Sequence, residues 1–187
     1  MVGDTLCMKK NLSIALLFLL IVFLYGCPYE SPYAIDAAPQ QYIDEELLGK
    51  WAAFVPRPSD DRHYKEEPVK LIVEKRTDME YDVSITGYIS ELKVYHVISN
   101  DTIKGTAFIS TVAKKEFLNT FINGRYYLSE VVKDKNGFSV FTLSEQFTNK
   151  YVKSSAVLRN AIEVHYQYKA NPSYDDWFVL KNLQKVN

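Results

Sequence analysis

The chain has 187 residues and a formal net charge of −1, with 22 basic and 23 acidic residues. This balance excludes the basic excess that carries nucleic-acid binding, so we expect no nucleic-acid partner. Only two cysteines are present, which excludes a disulfide framework and a cysteine-rich metal site. Glycine and proline, at seven each, are too few for a low-complexity protein. The length therefore predicts one globular domain.

The beginning of the chain has the pattern of a secretory signal peptide. Lys9 and Lys10 precede a nearly continuous apolar run from Leu12 to Tyr25. A bilayer-spanning helix needs about 20 apolar residues, so this run is short for a span, whereas its length suits a secretory signal. The alternative is an ordinary transmembrane anchor with an incidental cysteine. Because Met8 opens a complete signal by itself, we expect the true start there.

The apolar run ends in Leu24-Tyr25-Gly26-Cys27, which resembles the lipobox of bacterial lipoproteins. The resemblance implies a signal peptide over 1–26, cleavage before Cys27, a diacylglyceryl group on its thiol and acylation of the new amine, for example by palmitate. A thiolate is well suited to this alkylation. Two or three acyl chains hold a protein stably at a membrane. The expected location is therefore the bacterial cell envelope, lipid-anchored, with the outer membrane favoured over the inner one.

Residues 27–42 contain three prolines and no periodicity, which predicts a flexible tether before a domain over 43–187. Asp44 is placed to cap a short helical turn that Gly49 ends. Beyond it, apolar residues recur with the period of two that is typical of strands, as in Tyr81, Val83 and Ile85. The patterns predict strands near 50–56, 68–76, 79–88, 91–99, 102–112, 116–121, 125–133 and 138–143.

The last part of the domain changes period. Ser155 is placed to cap a helix, and 177–184 predict a final strand. Short strands at regular spacing, with hairpin turns such as Asn123-Gly124, predict a mainly all-β fold. The specific expectation is an eight-stranded antiparallel up-and-down barrel with one C-terminal helix and a short closing strand.

Gly49-Lys50-Trp51, followed by this order of elements, resembles the lipocalin and calycin group over about 45–184. The tether and the sequence "LLGKW" are also similar to small lipocalin-like lipoproteins of Bacteroidetes-type bacteria. The resemblance implies that Gly49 and Trp51 form the base of the barrel, with a basic side chain over the tryptophan ring. Lys181 is the nearest candidate for that side chain. The alternative is that a helix ends at Gly49 and a large aromatic enters the core.

Three side chains on inner faces are candidates for contact with a small apolar or amphipathic ligand. Tyr81 and Tyr127 should point inward, where a tyrosine adds a hydroxyl to an apolar wall. His96 lies on the apolar face of its predicted strand. The alternative is that these residues only fill the barrel.

The sequence contains no pattern typical of a catalytic or metal site. The three histidines lack paired spacing, and no nucleophile elbow or phosphate-binding glycine loop occurs. We therefore expect a non-enzymatic protein without metal or cofactor. The leading hypothesis is a lipoprotein that binds a small ligand; the second is a structural or interaction lipoprotein whose loop at 56–68 meets an envelope protein. An enzyme would require His96 hydrogen-bonded to a carboxylate in a pocket.

Overall fold

The computed structural model describes residues 29–58, 64–87, 102–144, 147–148, 151–168 and 174–186, with the backbone alone for 55–58, 64–67 and 175–178. A 3₁₀ helix spans Glu45–Leu47, and an α-helix, α1, spans Ser155–Gln167. The strands of the described residues are β1 (Glu30–Ser31), β2 (Gly49–Pro58), β3 (Tyr64–Lys75), β4 (Tyr81–Gly87), β5 (Thr102–Val112), β6 (Lys115–Ile122), β7 (Arg125–Lys133), β8 (Gly137–Leu143) and β9 (Tyr174–Val186).

Strands β2 to β9 form a closed antiparallel barrel in which each strand pairs with the next. Pairing of β9 with both β8 and β2 closes the ring. The predicted eight-stranded barrel with one C-terminal helix and a closing strand is confirmed, and it is consistent with the lipocalin resemblance at the level of fold. The eighth wall strand is β9, which follows the helix. The strand predicted at 91–99 lies outside the described residues, and β4 pairs directly with β5.

The inner face of the barrel holds the main hydrophobic core. Side chains along each strand point alternately inward and outward, and the inward ones of neighbouring strands lie side by side. Trp51 lies opposite Leu71, and Leu71 lies opposite Ile85. Other buried members of this core are Ala53, Val73, Val83, Ala107, Ile109, Leu118, Val131, Phe138, Val140 and Leu183.

A second apolar layer covers part of the outer face. Leu158, Ala161 and Ile162 of α1 are buried against it. The strand residues beneath them are Val112, Phe117, Leu128 and Leu143. The barrel wall is therefore apolar on both sides here, as expected for strands covered on both faces.

The N-cap of α1 is Ser154, whose Oγ accepts a hydrogen bond from the Val157 backbone N–H at 3.3 Å. The cap predicted at Ser155 is wrong by one residue, since Ser155 already begins the helix. Of the described part of the chain, no helix combines the length and apolar character that a membrane crossing requires.

Residues 29–42 form an N-terminal strap that starts beside β7 in the barrel wall and continues over the outer face. Its first strand, β1, pairs with the beginning of β7. Further along, Ile35 is fully buried and its backbone N–H donates to Asn119 Oδ1 at 2.7 Å. Asp36 then forms an ion pair of 2.6 Å with Arg159 of α1. Much of the segment predicted as a flexible tether is therefore docked, because short apolar and polar side chains find partners on the barrel.

Candidate functional site

The end of the barrel at which β2 begins is sealed by packed side chains. Leu47 of the 3₁₀ helix is 2% exposed, and Trp51 is 5% exposed. The Trp51 Nε1–H donates to the Leu47 carbonyl oxygen at 2.9 Å. The indole also meets the Phe138 ring edge-on, with 4.8 Å between centroids. This end is the base of the barrel.

Gly49 makes the turn from the 3₁₀ helix into β2. Its φ is +130°, which favours glycine, and a Cβ there would lie 2.9 Å from Lys185 Cε. Gly49 and Trp51 thus both lie at the base, and the glycine has a backbone reason to be there.

The basic side chain over Trp51 is Lys185, whose Nζ lies 5.3 Å from the ring. Lys185 is the direct cross-strand partner of Trp51 in the β2–β9 pairing. Lys181, the residue predicted for this place, is exposed on the other face of β9. Lys181 and Lys185 face opposite sides because β9 contains a bulge between them. Phe138 pairs with Leu183 but Val140 pairs with Leu180, so one extra β9 residue interrupts the alternation.

Tyr81 belongs to the base and is fully buried. Its hydroxyl accepts a hydrogen bond from the Asp44 backbone N–H at 2.5 Å and donates to the Asp44 carbonyl at 3.2 Å. Burial raises the pKa of Tyr81 to about 12. Asp44 caps the 3₁₀ helix as predicted, accepting from Glu46 N–H at 2.9 Å, and pairs with Lys133. Tyr81 is therefore bonded within the base.

The opposite half of the inner face carries hydroxyl groups. Ser129 and Thr142 are buried, and their hydroxyl oxygens lie 2.9 Å apart. Thr120 is half-buried and has Ala107 and Tyr127 as its cross-strand partners. These polar groups belong to β6, β7 and β8.

An apolar wall completes this half of the interior. Val69 of β3 packs against partly exposed Ile85 of β4 and Leu180 of β9. In strand order, β3 and β4 lie across the barrel from β7 and β8. Hydroxyl groups on one side and aliphatic groups on the other give the half of the barrel away from Trp51 an amphipathic lining.

Tyr127 lies on the inner face towards the end away from Trp51. Its side chain is 9% exposed and its hydroxyl donates to Glu30 Oε1 at 2.9 Å. Burial, and then the hydrogen bond and charge of Glu30, raise the pKa of Tyr127 above its ordinary value. The structure does not bring Tyr127 and Tyr81 together, because they belong to opposite ends of the barrel. His96 and Cys27 lie outside the described residues.

A buried carboxylate that no sequence pattern predicted lies on the outer face. Glu130 is 2% exposed and accepts hydrogen bonds from Tyr166, at 2.5 Å, and from Tyr174, while Lys115 forms an ion pair with it. Burial raises the pKa of Glu130, but these three donors outweigh it, and the pKa lies below its ordinary value.

This cluster joins separate elements of the fold. Tyr166 belongs to α1, Tyr174 to β9, and Glu130 to β7. Because donors within the fold occupy both carboxylate oxygens, Glu130 is a structural tie for the helix. An acid within the apolar stretch of β7 was the available sequence signal.

Neither metal chemistry nor a known relative assigns a function. Within the ranges that the structure describes, His, Cys, Asp and Glu side chains form no group of three or more that could hold a metal ion. In comparisons with known proteins, no family model, no curated protein and no solved structure matches the chain. A proposal for the function therefore has to be argued from the barrel geometry and from the sequence of the first segment.

Proposed function

We propose that this protein is a lipid-anchored lipoprotein of the bacterial cell envelope, of the lipocalin-like type, whose barrel binds a small apolar or amphipathic ligand. One observation carries the ligand proposal: the inner face changes from the apolar base around Trp51 to a half lined by Thr120, Ser129 and Thr142. Ligand sites are typically apolar with a few placed polar groups. An eight-stranded barrel has room for one small ligand.

The anchor proposal is supported by the first segment of the sequence. A basic start, a short apolar run and the lipobox-like residues before Cys27 favour a bacterial lipoprotein over a spanning helix. The outer membrane is the favoured location. Growth with labelled palmitate should label the full chain, and Cys27→Ser should abolish the label. An unlabelled wild-type chain would contradict the anchor.

A filling substitution tests the ligand site. Thr120→Phe places a ring inside the amphipathic half, whereas Thr102→Phe places the same ring on the outside of β5, where Thr102 contacts Thr86. Binding of a fluorescent long-chain fatty acid to the full chain should weaken about tenfold or more in Thr120→Phe, since the ring occupies the space that the acyl chain needs. Thr102→Phe should bind as wild type. Equal binding by all three proteins would place the probe elsewhere and contradict the site.

A role as a protein-interaction scaffold is the second candidate, and the β2–β3 hairpin favours it. Pairing of β2 with β3 continues to Pro58 and Tyr64, and within the described residues the β3–β4 pairing begins at Val69. The region predicted as a loop at 56–68 is thus partly a two-stranded hairpin arm. Phe54 at its base is 63% exposed. A photo-cross-linker at Phe54 should capture one envelope protein under this alternative, and no protein under the ligand proposal.

A further inference from the structure

The strap fixes the point from which the first segment leaves the barrel. The Tyr29 backbone N–H donates to the Leu143 carbonyl at 2.9 Å, and its ring meets Phe147 with 4.6 Å between centroids. Glu30 then pairs with Tyr127. β7 starts near this point, and its other end, at Lys133, contacts the Asp44 cap at the base. Tyr29 therefore lies at the rim away from Trp51.

The distance from this rim to the proposed anchor is short. Two residues of chain span at most about 7 Å, so the sulfur of Cys27 stays close to Tyr29. Acyl chains at Cys27 would then insert into a bilayer directly beside this rim. Because the strap is docked, the free chain is too short for the base of the barrel to face the bilayer in place of this rim.

The surface around Tyr29 has the chemistry of a protein face at lipid headgroups. A cleft of about 460 Å³ lies there, and its lining includes Tyr29, Glu30, Tyr33, Arg125, Tyr151 and Lys153. Tyr151 is 83% exposed and Tyr33 is 37% exposed. Arg125 and Lys153 are exposed too, and Lys153 Nζ lies 5.9 Å from the Tyr151 ring centroid. Glu30 is the acidic residue of the cleft, and its carboxylate accepts a hydrogen bond from the Tyr127 hydroxyl.

We propose that this rim patch, made of Tyr33, Arg125, Tyr151 and Lys153, lies against an anionic lipid surface and turns the end of the barrel opposite Trp51 towards the membrane. Tyrosine is enriched at the headgroup level, and basic side chains are attracted to anionic lipids. The inference rests on the lipid anchor proposed above. A ligand that suits the amphipathic half then comes from the lipid surface itself, and an amphiphile of the membrane is the expected class.

Site-specific labels test the orientation. The chain from Cys27 onward has no further cysteine, so acylation leaves the mature protein free of thiols. Tyr151→Cys marks the rim, and Lys135→Cys marks the exposed turn before β8 at the base. The full lipoprotein, labelled with a fluorophore, is reconstituted into vesicles of phosphatidylcholine and phosphatidylglycerol that contain a headgroup spin label. Lipid quenching of the rim label should exceed that of the base label by about threefold or more.

Charge variants test the role of the patch in the same vesicles. With the rim label in place, Arg125→Gln combined with Lys153→Gln should lower the quenching by about threefold, since each basic side chain near the surface adds attraction. The matched pair Lys114→Gln and Lys135→Gln, at the other end of the barrel, should leave it unchanged.

The outcomes separate the two proposals, because palmitate incorporation is measured on the same samples. An acylated protein whose rim and base labels are quenched equally, or whose base is quenched more, overturns the orientation and leaves the anchor standing. If the protein is acylated but Arg125→Gln with Lys153→Gln leaves the quenching of the rim label unchanged, as the matched pair should, the lipid contact of the patch is overturned. A protein without acyl chains overturns the anchor and, with it, the orientation that depends on it.

Discussion

Lys185 shows how a single side chain completes the base of the barrel. It pairs across the strands with Trp51 and places its ammonium group over the indole. A cation over an aromatic ring at an exposed site contributes about 0.5–1 kcal/mol. A lysine next to an aromatic ring contributes through its methylenes as well as its charge.

We expect Lys185→Gln to lower the free energy of unfolding by about 0.5 kcal/mol, because the charge over the Trp51 ring is lost. Lys181→Gln is the matched control, since Lys181 is exposed on the same strand. Urea titrations of both variants measure the difference. A Lys181 variant as destabilised as the Lys185 variant would contradict the assignment of Lys185 to the ring.

At the residue scale, the sequence pattern predicts which face of the wall a side chain lies on, but not its position along the barrel axis. Alternation correctly predicted that Tyr81 faces inward, but alternation carries no information on height along the barrel. It therefore could not show that Tyr81 is bonded within the base and Tyr127 towards the other end. Asn182, with φ of +54°, lies in the β9 bulge, and asparagine tolerates this conformation. Lys181 was expected over Trp51 as the nearest basic candidate, and the bulge places it on the face opposite to Lys185.

At the scale of elements, the strap and the helix add a second layer outside the barrel. Asn119 ties the strap to the wall: its Oδ1 accepts from Ile35 N–H, and its Nδ2 donates to Ser110 Oγ at 2.8 Å and to the Phe108 carbonyl at 3.3 Å. The sequence of β6 offered a sign of this layer, because Phe117 and Leu118 are adjacent and face opposite sides. The strap itself has no periodicity that pattern analysis detects.

Asn119→Ala should lower the free energy of unfolding by about 2 kcal/mol, since it leaves the buried Ile35 N–H without its acceptor. Asn136→Ala, at an exposed turn, should change it by less than about 0.5 kcal/mol. Urea unfolding followed by tryptophan fluorescence measures both. An Asn119 variant as stable as the Asn136 control would mean that the strap is not held by this side chain.

Glu130 makes the attachment of α1 depend on pH. Its folded-state pKa lies below the ordinary value, so its contribution to stability is present above that value and is lost as pH falls through the folded pKa. Glu130→Gln should be less stable than wild type by about 2 kcal/mol at neutral pH, because hydrogen bonds to a charged group are stronger.

The difference in unfolding free energy between Glu130→Gln and wild type should narrow as pH falls below the ordinary glutamate pKa of 4.5, because the unfolded wild-type chain then takes up a proton while the folded carboxylate, whose pKa is lower, is still charged. Denaturant titrations at a series of pH values measure this difference. Glu74→Gln, on the exposed face of β3, provides the control. A Glu130 difference that stays constant across the acid range would contradict the role of the charge.

At the scale of the whole molecule, the barrel has one sealed end and one end beside which the chain leaves towards Cys27. The closed ring followed from strand count and spacing, because hairpins of this length pair in chain order. The position of the seam did not follow from the strand pattern: in the part of the chain that the structure describes, β2 and β9 pair at Lys50–Ala52. Together these features place the amphipathic half of the barrel near the proposed anchor.

Native mass spectrometry of the full protein, extracted in detergent from the membranes of its own host, tests the central claim most directly. The account predicts a mass equal to the chain from Cys27 plus a diacylglyceryl group and further acyl chains, together with a small amphiphile that leaves on mild activation. Thr120→Phe should carry the same acyl chains without the amphiphile. A wild-type chain that carries neither the covalent lipid nor the bound molecule would contradict the account.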